Sequence, residues 1–463
     1  MLKTAIALLA FVAAPALAQP LTADEAARID KLVTETLANT GVPSAEIAIV
    51  RDGQIVLNKA YGKANEGLPA NTGLPYQIAS NSKQFTAMAL LLLEDEGKLD
   101  LDAKVAKYFP DVSGADKISI RQLLSHTSGL QDFWPQDYSF ADMEKPTTPQ
   151  HIVDKWAKKP LDYEPGTRWQ YSNTGYVVAG MIAEKVSGEP LLTYLRRKIF
   201  VPLGMTSVMD QDDTNTAAFP AGYHRNALGP VRIAKQPGRG WLYAAGELSM
   251  TAADLAKWDI ARMNRALIPA DDWVEQETPV LRADGRTNGY GLGVFNHYAG
   301  ERHVIDHGGE AVGFLTDNAV YPDTKDAIVV FTNSDFSRAT GTITEGIKAI
   351  VLDSQDHGLT GEGDRISDVQ AVYSALVRGS VDRAKFTTNL NYYFNPTTLG
   401  DYRSSLSPLG TPTVKALGAP RLRGGFVNRN FSLHYPAGKD LLLITYAEPG
   451  ANGRWEQFMI MPQ

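Results

Sequence analysis

Two short apolar-rich runs lie near the start of the chain, at Ala45–Val50 and Gln54–Ala60. The residues between them, Arg51-Asp52-Gly53, are typical of a tight turn, so the pattern predicts a β-hairpin. From Ser82 to Glu94 the composition changes to Ala, Met, Leu and Glu, which favour a helix. Gly97-Lys98 is a plausible stop signal, and the predicted helix is apolar enough to run through the core.

The middle of the chain, from about Asp100 to Arg282, alternates helical stretches with loops rich in Gly and Pro. The helical stretches include Gln150–Lys158, Tyr176–Val186 and Ala252–Ala266. Strand patterns follow at Gly289–Tyr298, His303–Asp306, Asn318–Tyr321 and Ala327–Asn333. A helix-rich segment bracketed by strands from both ends of one domain predicts an α+β fold, in which helices flank an antiparallel sheet and form an insertion.

A change of composition predicts a second, smaller domain at the end of the chain. Residues 353–365 are rich in Gly, Asp and Ser without an apolar period, which predicts a linker after a first domain at 19–352. Residues 366–463 then carry one helical pattern, Val369–Val377, and several strand patterns. A small α+β domain of this kind resembles NTF2-like and cystatin-like folds, a likeness that carries no function.

The first 18 residues carry the pattern of a secretory signal peptide. Lys3 precedes an apolar run from Thr4 to Ala14, and Ala16-Leu17-Ala18 is typical of a cleavage site. The run is shorter than the roughly 20 residues that span a bilayer, so we expect export, in a bacterium to the periplasm, without stable membrane insertion. Cleavage removes one cation and no acid, which leaves a net charge of −8 and disfavours nucleic acid as a partner.

The chain has 463 residues and no cysteine, which excludes disulfides and a thiol nucleophile together. The Gly-x-Ser-x-Gly elbow of α/β-hydrolases is also absent. Ser80-Asn81-Ser82-Lys83 instead places a hydroxyl and an amine three residues apart where the apolar helix begins, on one helical face. A buried lysine loses its proton readily and can act as a base. By spacing alone, a capping serine beside a solvated lysine is an equally good interpretation.

Two further elements carry candidate chemistry. Tyr171-Ser172-Asn173 follows a loop and leads into a predicted helix, although a packed tyrosine and a capping asparagine would look the same. His307-Gly308-Gly309 follows the strand pattern His303–Asp306, and paired glycines at a strand end let a ligand backbone approach closely. His303 and His307 have no third ligand at useful spacing, so no metal is expected. We expect His126, in a Ser-His-Thr-Ser-Gly stretch, to be structural.

With these elements in this order, the chain resembles the serine β-lactamase and penicillin-binding protein superfamily. The likeness is to the branch that includes class C β-lactamases, D,D-carboxypeptidases, D-aminopeptidases and family VIII esterases, and it covers about residues 30–350. The matching motifs are Ser-x-x-Lys at Ser80 and Lys83, Tyr-x-Asn at Tyr171 and Asn173, and Lys/His-x-Gly at His307 and Gly309. Secondary stretches also match, at Leu123–Leu130, Pro202–Met205 and Tyr290–Gly293.

The resemblance implies a covalent mechanism without a cofactor. Ser80 would form an acyl-enzyme, with Lys83 and Tyr171 exchanging protons; which of the two is the general base stays open. Asn173 would hold Lys83 and the substrate, and the backbone N–H groups of Ser80 and Glu310 would bind the oxyanion.

The residue at position 307 bears on the substrate. Class C β-lactamases carry Lys-Thr-Gly where this chain has His307-Gly308-Gly309, and a neutral histidine favours a substrate carboxylate less than a lysine does. The sequence therefore favours a hydrolase of D-amino-acid peptides or small esters. Two alternatives stay open: a β-lactamase, and a penicillin-binding or sensor-like protein that is acylated without turnover. The oligomeric state is not indicated.

Overall fold

The computed structural model describes residues 18–136, 138–299, 302–352, 365–423 and 425–462. The predicted signal peptide, up to residue 17, and the predicted linker, up to residue 364, lie outside the described residues. Within the described ranges, no helix is both long and apolar enough to cross a membrane. The chain divides into two compact units, Met1–Lys348 and Ala349–Gln463.

The first unit contains an antiparallel sheet in the strand order β3-β2-β1-β12-β11-β10-β9. Shorter strands form a small sheet in the order β4-β8-β5 and the pair β6-β7. The strands are β1 (Ser44–Arg51), β2 (Gln54–Asn65), β3 (Leu68–Pro69), β4 (Tyr76–Gln77), β5 (Met209–Asp210), β6 (Tyr223–His224), β7 (Arg232–Ile233), β8 (Leu248–Met250), β9 (Phe295–Ala299), β10 (Arg302–Ala311), β11 (Phe314–Tyr321) and β12 (Asp326–Thr332). The predicted hairpin is β1–β2, in which Ile47 faces Lys59.

Helices pack with this sheet and with one another, as the predicted α+β class requires. They are α1 (Ala23–Thr40), α2 (Lys83–Asp95), α3 (Ile120–Leu124), α4 (Pro149–Ile152), α5 (Asn173–Ser187), α6 (Leu191–Leu195), α7 (Ala252–Met263), α8 (Ala270–Glu277) and α9 (Ala339–Val351). Single π turns extend α4 and α6, at Val153–Ala157 and Arg196–Phe200. The fold class predicted from sequence is confirmed.

Helix α2 is the core helix that the sequence predicted. Almost every side chain from Lys83 to Leu93 is buried, so the helix is covered on all sides rather than along one stripe. Its first turn is held by Gln84, whose Oε1 accepts hydrogen bonds from Trp258 Nε1 (2.6 Å) and Arg262 Nη2 (3.0 Å). Gln276 Nε2 donates to the Gln84 carbonyl (2.7 Å). These buried bonds fix the end of α2 that carries the site.

Two parts of the first unit differ from the sequence prediction. Helix α1 was not predicted, although it has a Thr22–Glu25 capping box and ends at Gly41, which has φ +76°. The strand predicted at Gly289–Tyr298 was too long at its start, because the regular strand begins at Phe295. Gly293 has φ +81°, and a Cβ there would lie 2.8 Å from the Lys83 carbonyl oxygen, so this segment turns against α2 instead of extending.

The second unit contains an antiparallel sheet in the order β13-β14-β15-β16, preceded by helices. Its elements are α10 (Ile366–Arg378), α11 (Thr388–Tyr393), α12 (Pro396–Leu406), β13 (Thr413–Arg423), β14 (Phe426–His434), β15 (Asp440–Ala447) and β16 (Trp455–Pro462). Val372 and Leu376 of α10 share a buried cluster with Phe431, Leu443 and Phe458 from the sheet. The small α+β domain predicted for this part of the chain therefore has its own core.

Candidate active site

Ser80 lies in a tight 3-10 turn, Ala79–Ser82, that leads directly into α2. The helix was predicted to begin at Ser82, and it begins one residue later, at Lys83, because Ser80 and Ser82 belong to the tighter turn. Ala79 has φ +48°, a left-handed conformation that costs about 1–3 kcal/mol for a residue other than glycine. Such strain persists only where the surroundings hold the backbone firmly.

Hydrogen bonds from neighbouring strands hold this turn. Thr316 Oγ1 on β11 donates to the Ile78 carbonyl (3.1 Å) and accepts a bond from Asn81 Nδ2 (3.0 Å). On the other side, Ser82 Oγ accepts a bond from the backbone N–H of Leu248, the first residue of β8 (3.1 Å). The turn is thus fixed between two sheets, and the Ser80 hydroxyl is aimed at the cleft.

Lys83 is completely buried beneath Ser80. Its Nζ lies 3.0 Å from Ser80 Oγ, 2.8 Å from Asn173 Oδ1 and 2.7 Å from the Ala245 carbonyl oxygen. Burial lowers the pKa of Lys83 to about 7, against the opposing attraction of the Asp132 carboxylate. Near neutral pH a large fraction of Lys83 is therefore an uncharged amine, 3.0 Å from the hydroxyl whose proton it would accept.

Tyr171 approaches the same hydroxyl from another segment. Its phenol lies 2.8 Å from Ser80 Oγ and donates to it. Burial raises the pKa of Tyr171 far above its ordinary value, and the Asp132 charge adds to this effect, so the phenol is protonated at neutral pH. The His126 ring packs against it at a tilt of 32°, with the ring centres 4.2 Å apart.

Asn173, the first residue of α5, connects Lys83 to an acid that the sequence analysis missed. Its Oδ1 accepts from Lys83, while its backbone N–H and Nδ2 donate to Asp132 Oδ1 (3.0 Å) and Oδ2 (3.2 Å). Asp132 also accepts a bond from the Trp134 backbone N–H (3.2 Å), so its loop is held against α5. The contact joins residues 41 positions apart, and no local pattern marks it.

The glycines after His307 lie inside β10, not after a strand as the sequence suggested. A Cβ on Gly309 would lie 2.2 Å from the Ile78 carbonyl oxygen and 2.3 Å from Thr316 Oγ1, so only glycine fits there. A Cβ on Gly308 would meet its nearest atom at 3.7 Å, an ordinary contact. Gly309 thus lets β10 approach the nucleophile turn, and Glu310 follows it on the cleft wall.

His307 is buried, and both of its ring nitrogens have partners. Nε2 lies 3.0 Å from the Tyr290 hydroxyl, and Nδ1 lies 2.5 Å from the Gly308 carbonyl oxygen. Burial, together with the nearby charge of Lys83, lowers the pKa of His307 to about 4. The ring is therefore neutral at pH 7.

The predicted site residues meet in one open cleft of about 800 Å³. Ser80, Tyr171, Asn173 and the stretch His307–Glu310 all line it, while Lys83 lies beneath its floor. This volume is within the range of small-molecule sites, roughly 300–1,000 Å³. Among the residues that the structure describes, no group of His, Asp or Glu side chains could hold a metal ion.

The chain is similar to known proteins in sequence and in fold. The family model described as Beta-lactamase matches residues 29–350. Protein flp of Staphylococcus aureus (strain N315) is 29% identical over an alignment of 329 residues. The alignment covers 68% of this chain and 64% of that protein, so the chain spans less than two thirds of that relative's length.

Solved structures with similar folds include amide hydrolases, a penicillin-binding protein from Bacillus halodurans and a class C beta-lactamase. The D-amino acid amidase from Ochrobactrum anthropi SV3 is 26% identical with a TM-score of 0.62, over 72% of this chain and 99% of that one. A D-stereospecific amidohydrolase from Streptomyces sp. is 27% identical with a TM-score of 0.61, over 70% and 98% of the two chains. Because the family model covers more than half of the chain, this protein belongs to the beta-lactamase family of serine hydrolases.

Proposed function

We propose that this protein hydrolyses amide or ester bonds through an acyl-enzyme on Ser80, with D-amino-acid amides or peptides and small esters as substrates. The observation that carries the proposal is the position of one hydroxyl between two proton-exchanging groups. Ser80 Oγ lies 3.0 Å from the Lys83 amine and 2.8 Å from the Tyr171 phenol, at the floor of an open cleft. A nucleophile within hydrogen-bond reach of its base is the signature of covalent catalysis.

In the acylation step, the neutral amine of Lys83 accepts the Ser80 proton while Oγ bonds to the substrate carbonyl carbon. The oxyanion accepts hydrogen bonds from the backbone N–H groups of Ser80 and Glu310. When the bond to the leaving group breaks, that group takes the Tyr171 proton, and the proton held by Lys83 restores the phenol. Lys83 is the better base because its pKa is near 7, whereas burial keeps Tyr171 protonated.

Water then attacks the acyl carbonyl. It gives one proton to the Lys83–Tyr171 pair, its oxygen stays on the released acid, and Ser80 recovers its hydroxyl proton. Asn173 keeps the Lys83 amine in place because its own amide is held from both sides, by Lys83 and by Asp132. Apart from the substrate and this water, the two steps use only groups of the chain.

The substrate assignment has two supports. The solved structures at 26–27% identity are named for hydrolysis of D-amino acid amides and for D-stereospecific amide hydrolysis. The third motif supplies a neutral histidine, so it lacks a cation for the carboxylate of a β-lactam. Esters fit the same acylation step with an easier leaving group.

The test uses purified mature protein with paired D- and L-amino acid amides, a D-alanyl peptide, a short-chain p-nitrophenyl ester and a chromogenic cephalosporin. We expect turnover of the D-amide and the ester, and mass spectrometry of quenched protein should find the acyl group on Ser80. Ser80→Ala should abolish both results. Ser82→Ala, the other serine of the turn, should keep the adduct because its hydroxyl bonds to Leu248.

Other outcomes would change the assignment. Undiminished hydrolysis by Ser80→Ala would show that Ser80 is not the nucleophile. Rapid cephalosporin turnover would establish a β-lactamase, and one equivalent of acylation without turnover would establish a sensor-like protein.

We also propose that the protein is exported, on the strength of the apolar run and the Ala16-Leu17-Ala18 pattern. Expression of the full chain in a bacterium with a periplasm, followed by fractionation and N-terminal sequencing, tests this. We expect periplasmic protein that begins at Gln19, and a full-length product retained in the cytoplasm would contradict it.

A further inference from the structure

A line of buried hydrogen bonds runs beside the catalytic residues from one backbone group to another. The Ser172 backbone N–H donates to His126 Nδ1 (3.1 Å), and His126 Nε2 lies 3.2 Å from the Tyr290 hydroxyl. That hydroxyl lies 3.0 Å from His307 Nε2, and His307 Nδ1 lies 2.5 Å from the Gly308 carbonyl oxygen. His126, Tyr290 and His307 are each at most 5% exposed.

The two backbone ends fix the direction of every bond in the line. An N–H group only donates, so His126 Nδ1 must accept, and a neutral His126 then carries its proton on Nε2. That proton goes to the Tyr290 oxygen, which leaves the single Tyr290 proton for His307 Nε2. His307 must therefore carry its own proton on Nδ1, where the Gly308 carbonyl accepts it. The Tyr176 phenol, which donates its own proton to the Leu124 carbonyl, is a second acceptor within reach of Tyr290. All four bonds of the line form together only when Tyr290 donates to His307, so the complete line has one arrangement of protons.

The ends of this line belong to two different parts of the site. Ser172 lies between Tyr171 and Asn173, at the entrance to α5. Gly308 lies on β10, immediately before Gly309 and Glu310. The line crosses from the segment that supplies the phenol to the strand that supplies an oxyanion donor.

We propose that His126, Tyr290 and His307 are positioning residues. Their hydrogen bonds, each with its proton in a fixed place, form a connection, here called the tie, that holds Tyr171 in place relative to residues Gly308–Glu310 of β10. This inference rests on the proposed acyl-enzyme function. Tyr290 is not among the described residues that line the cleft, so it acts through the two histidines and not on substrate. His307 has no free ring nitrogen, so the third motif presents its backbone to the substrate.

The charged and titratable groups around the tie keep it neutral. Burial lowers the pKa of both histidines, and the charge of Lys83 acts in the same direction on each ring. The remaining neighbours are the phenols of Tyr171 and Tyr176, whose rings lie 4.2 and 5.2 Å from that of His126. The tie should therefore persist throughout the neutral pH range.

Nitrogen-15 NMR of the histidine side chains tests the proton arrangement without any substrate. At pH 7 we expect the Nε2–H tautomer for His126 and the Nδ1–H tautomer for His307, with resonances assigned from single His→Asn variants. The same pattern is expected in Ser80→Ala, so failure of the proposed catalytic function would leave this result unchanged. A His307 that carries its proton on Nε2, or that is doubly protonated at pH 7, overturns the proposal.

Tyr290→Phe tests the positioning role because it removes one hydroxyl and keeps the ring. We expect kcat on the p-nitrophenyl ester to fall about tenfold with KM changed less than about twofold, and His307 to become a mixture of tautomers. Tyr76→Phe is the matched control, since it removes another buried hydroxyl, bonded to Ser44 at 2.8 Å. Wild-type kcat in Tyr290→Phe, or an equal fall in both variants, would overturn the positioning role.

Discussion

The rate at which Ser80 is acylated should rise with pH and level off above about pH 8. The rise follows from Lys83, which accepts the Ser80 proton only when its own amine is neutral. With a pKa of about 7, the neutral fraction is about 9% at pH 6, about 50% at pH 7 and about 90% at pH 8. The acylation rate should therefore increase about tenfold between pH 6 and pH 8 and change little above that.

The opposite assignment of the base gives a different profile. Burial places the pKa of Tyr171 well above that of a free phenol. If the Tyr171 phenolate were the base, its concentration would still rise about tenfold per pH unit between pH 9 and pH 10. A plateau and a continued rise are thus distinguishable in one experiment.

The assay is kcat/KM for a p-nitrophenyl ester between pH 5 and pH 10, because kcat/KM reports the protonation states of the free enzyme. The product is followed at a wavelength where its two protonation states absorb equally, and circular dichroism at each pH confirms that the protein is folded. His307, with a pKa of about 4, titrates below this range. A profile that is flat from pH 5 to pH 10, or that climbs steadily past pH 9, would refute Lys83 as the base.

Three further predictions concern single side chains. Gly309→Ala should lower kcat/KM at least about 100-fold, about 3 kcal/mol, because its Cβ would meet the Ile78 carbonyl oxygen at 2.2 Å. Gly308→Ala is the control and should fold normally. Equal thermal stability and activity of the two variants would contradict this prediction. Asp132→Asn should move the rising part of the pH profile to lower pH, because the Asp132 charge partly offsets the lowering of the Lys83 pKa by burial. An unmoved profile would show that the Asp132 charge is screened from Lys83. The unfolded chain holds the Lys83 proton up to about pH 10.5, and the folded protein holds it only up to about pH 7. The free energy of unfolding should therefore rise by up to roughly 3 kcal/mol between pH 7 and pH 10. Urea unfolding of Lys83→Met should lack this increase.

The residues that the sequence could indicate are those whose order along the chain is informative. Ser80 and Lys83 are three residues apart, and the segments of Tyr171 and His307 follow in the family's order. The α+β class was likewise predictable, because the strand patterns at both ends bracket helical ones. Helix α1 was predictable too: Thr22 and Glu25 form a capping box, and the spacing of Ile29, Val33 and Leu37 suits one helical face.

Other parts of the site depend on contacts that no local pattern contains. Asp132 is a single acid in a loop until α5 places Asn173 against it. Tyr290 and His126 are 164 positions apart, and only the folded chain brings them within hydrogen-bond distance. The left-handed backbone at Ala79 is equally invisible, since alanine gives no sign of it and the neighbouring strands impose it.

The divided origin of the site makes catalysis a sensitive reporter of the folded state. Ser80 lies in the turn that leads into α2 and Lys83 is the first residue of that helix, whereas Tyr171 comes from the entrance of α5 and Gly309 from the sheet. A small slip of β10 against the turn would misplace the oxyanion donor while every helix and strand stayed intact. On gentle heating or in dilute denaturant, hydrolysis should therefore fade before the circular dichroism signal does, and inhibitors that bridge Ser80 and β10 should raise the temperature at which the first unit melts.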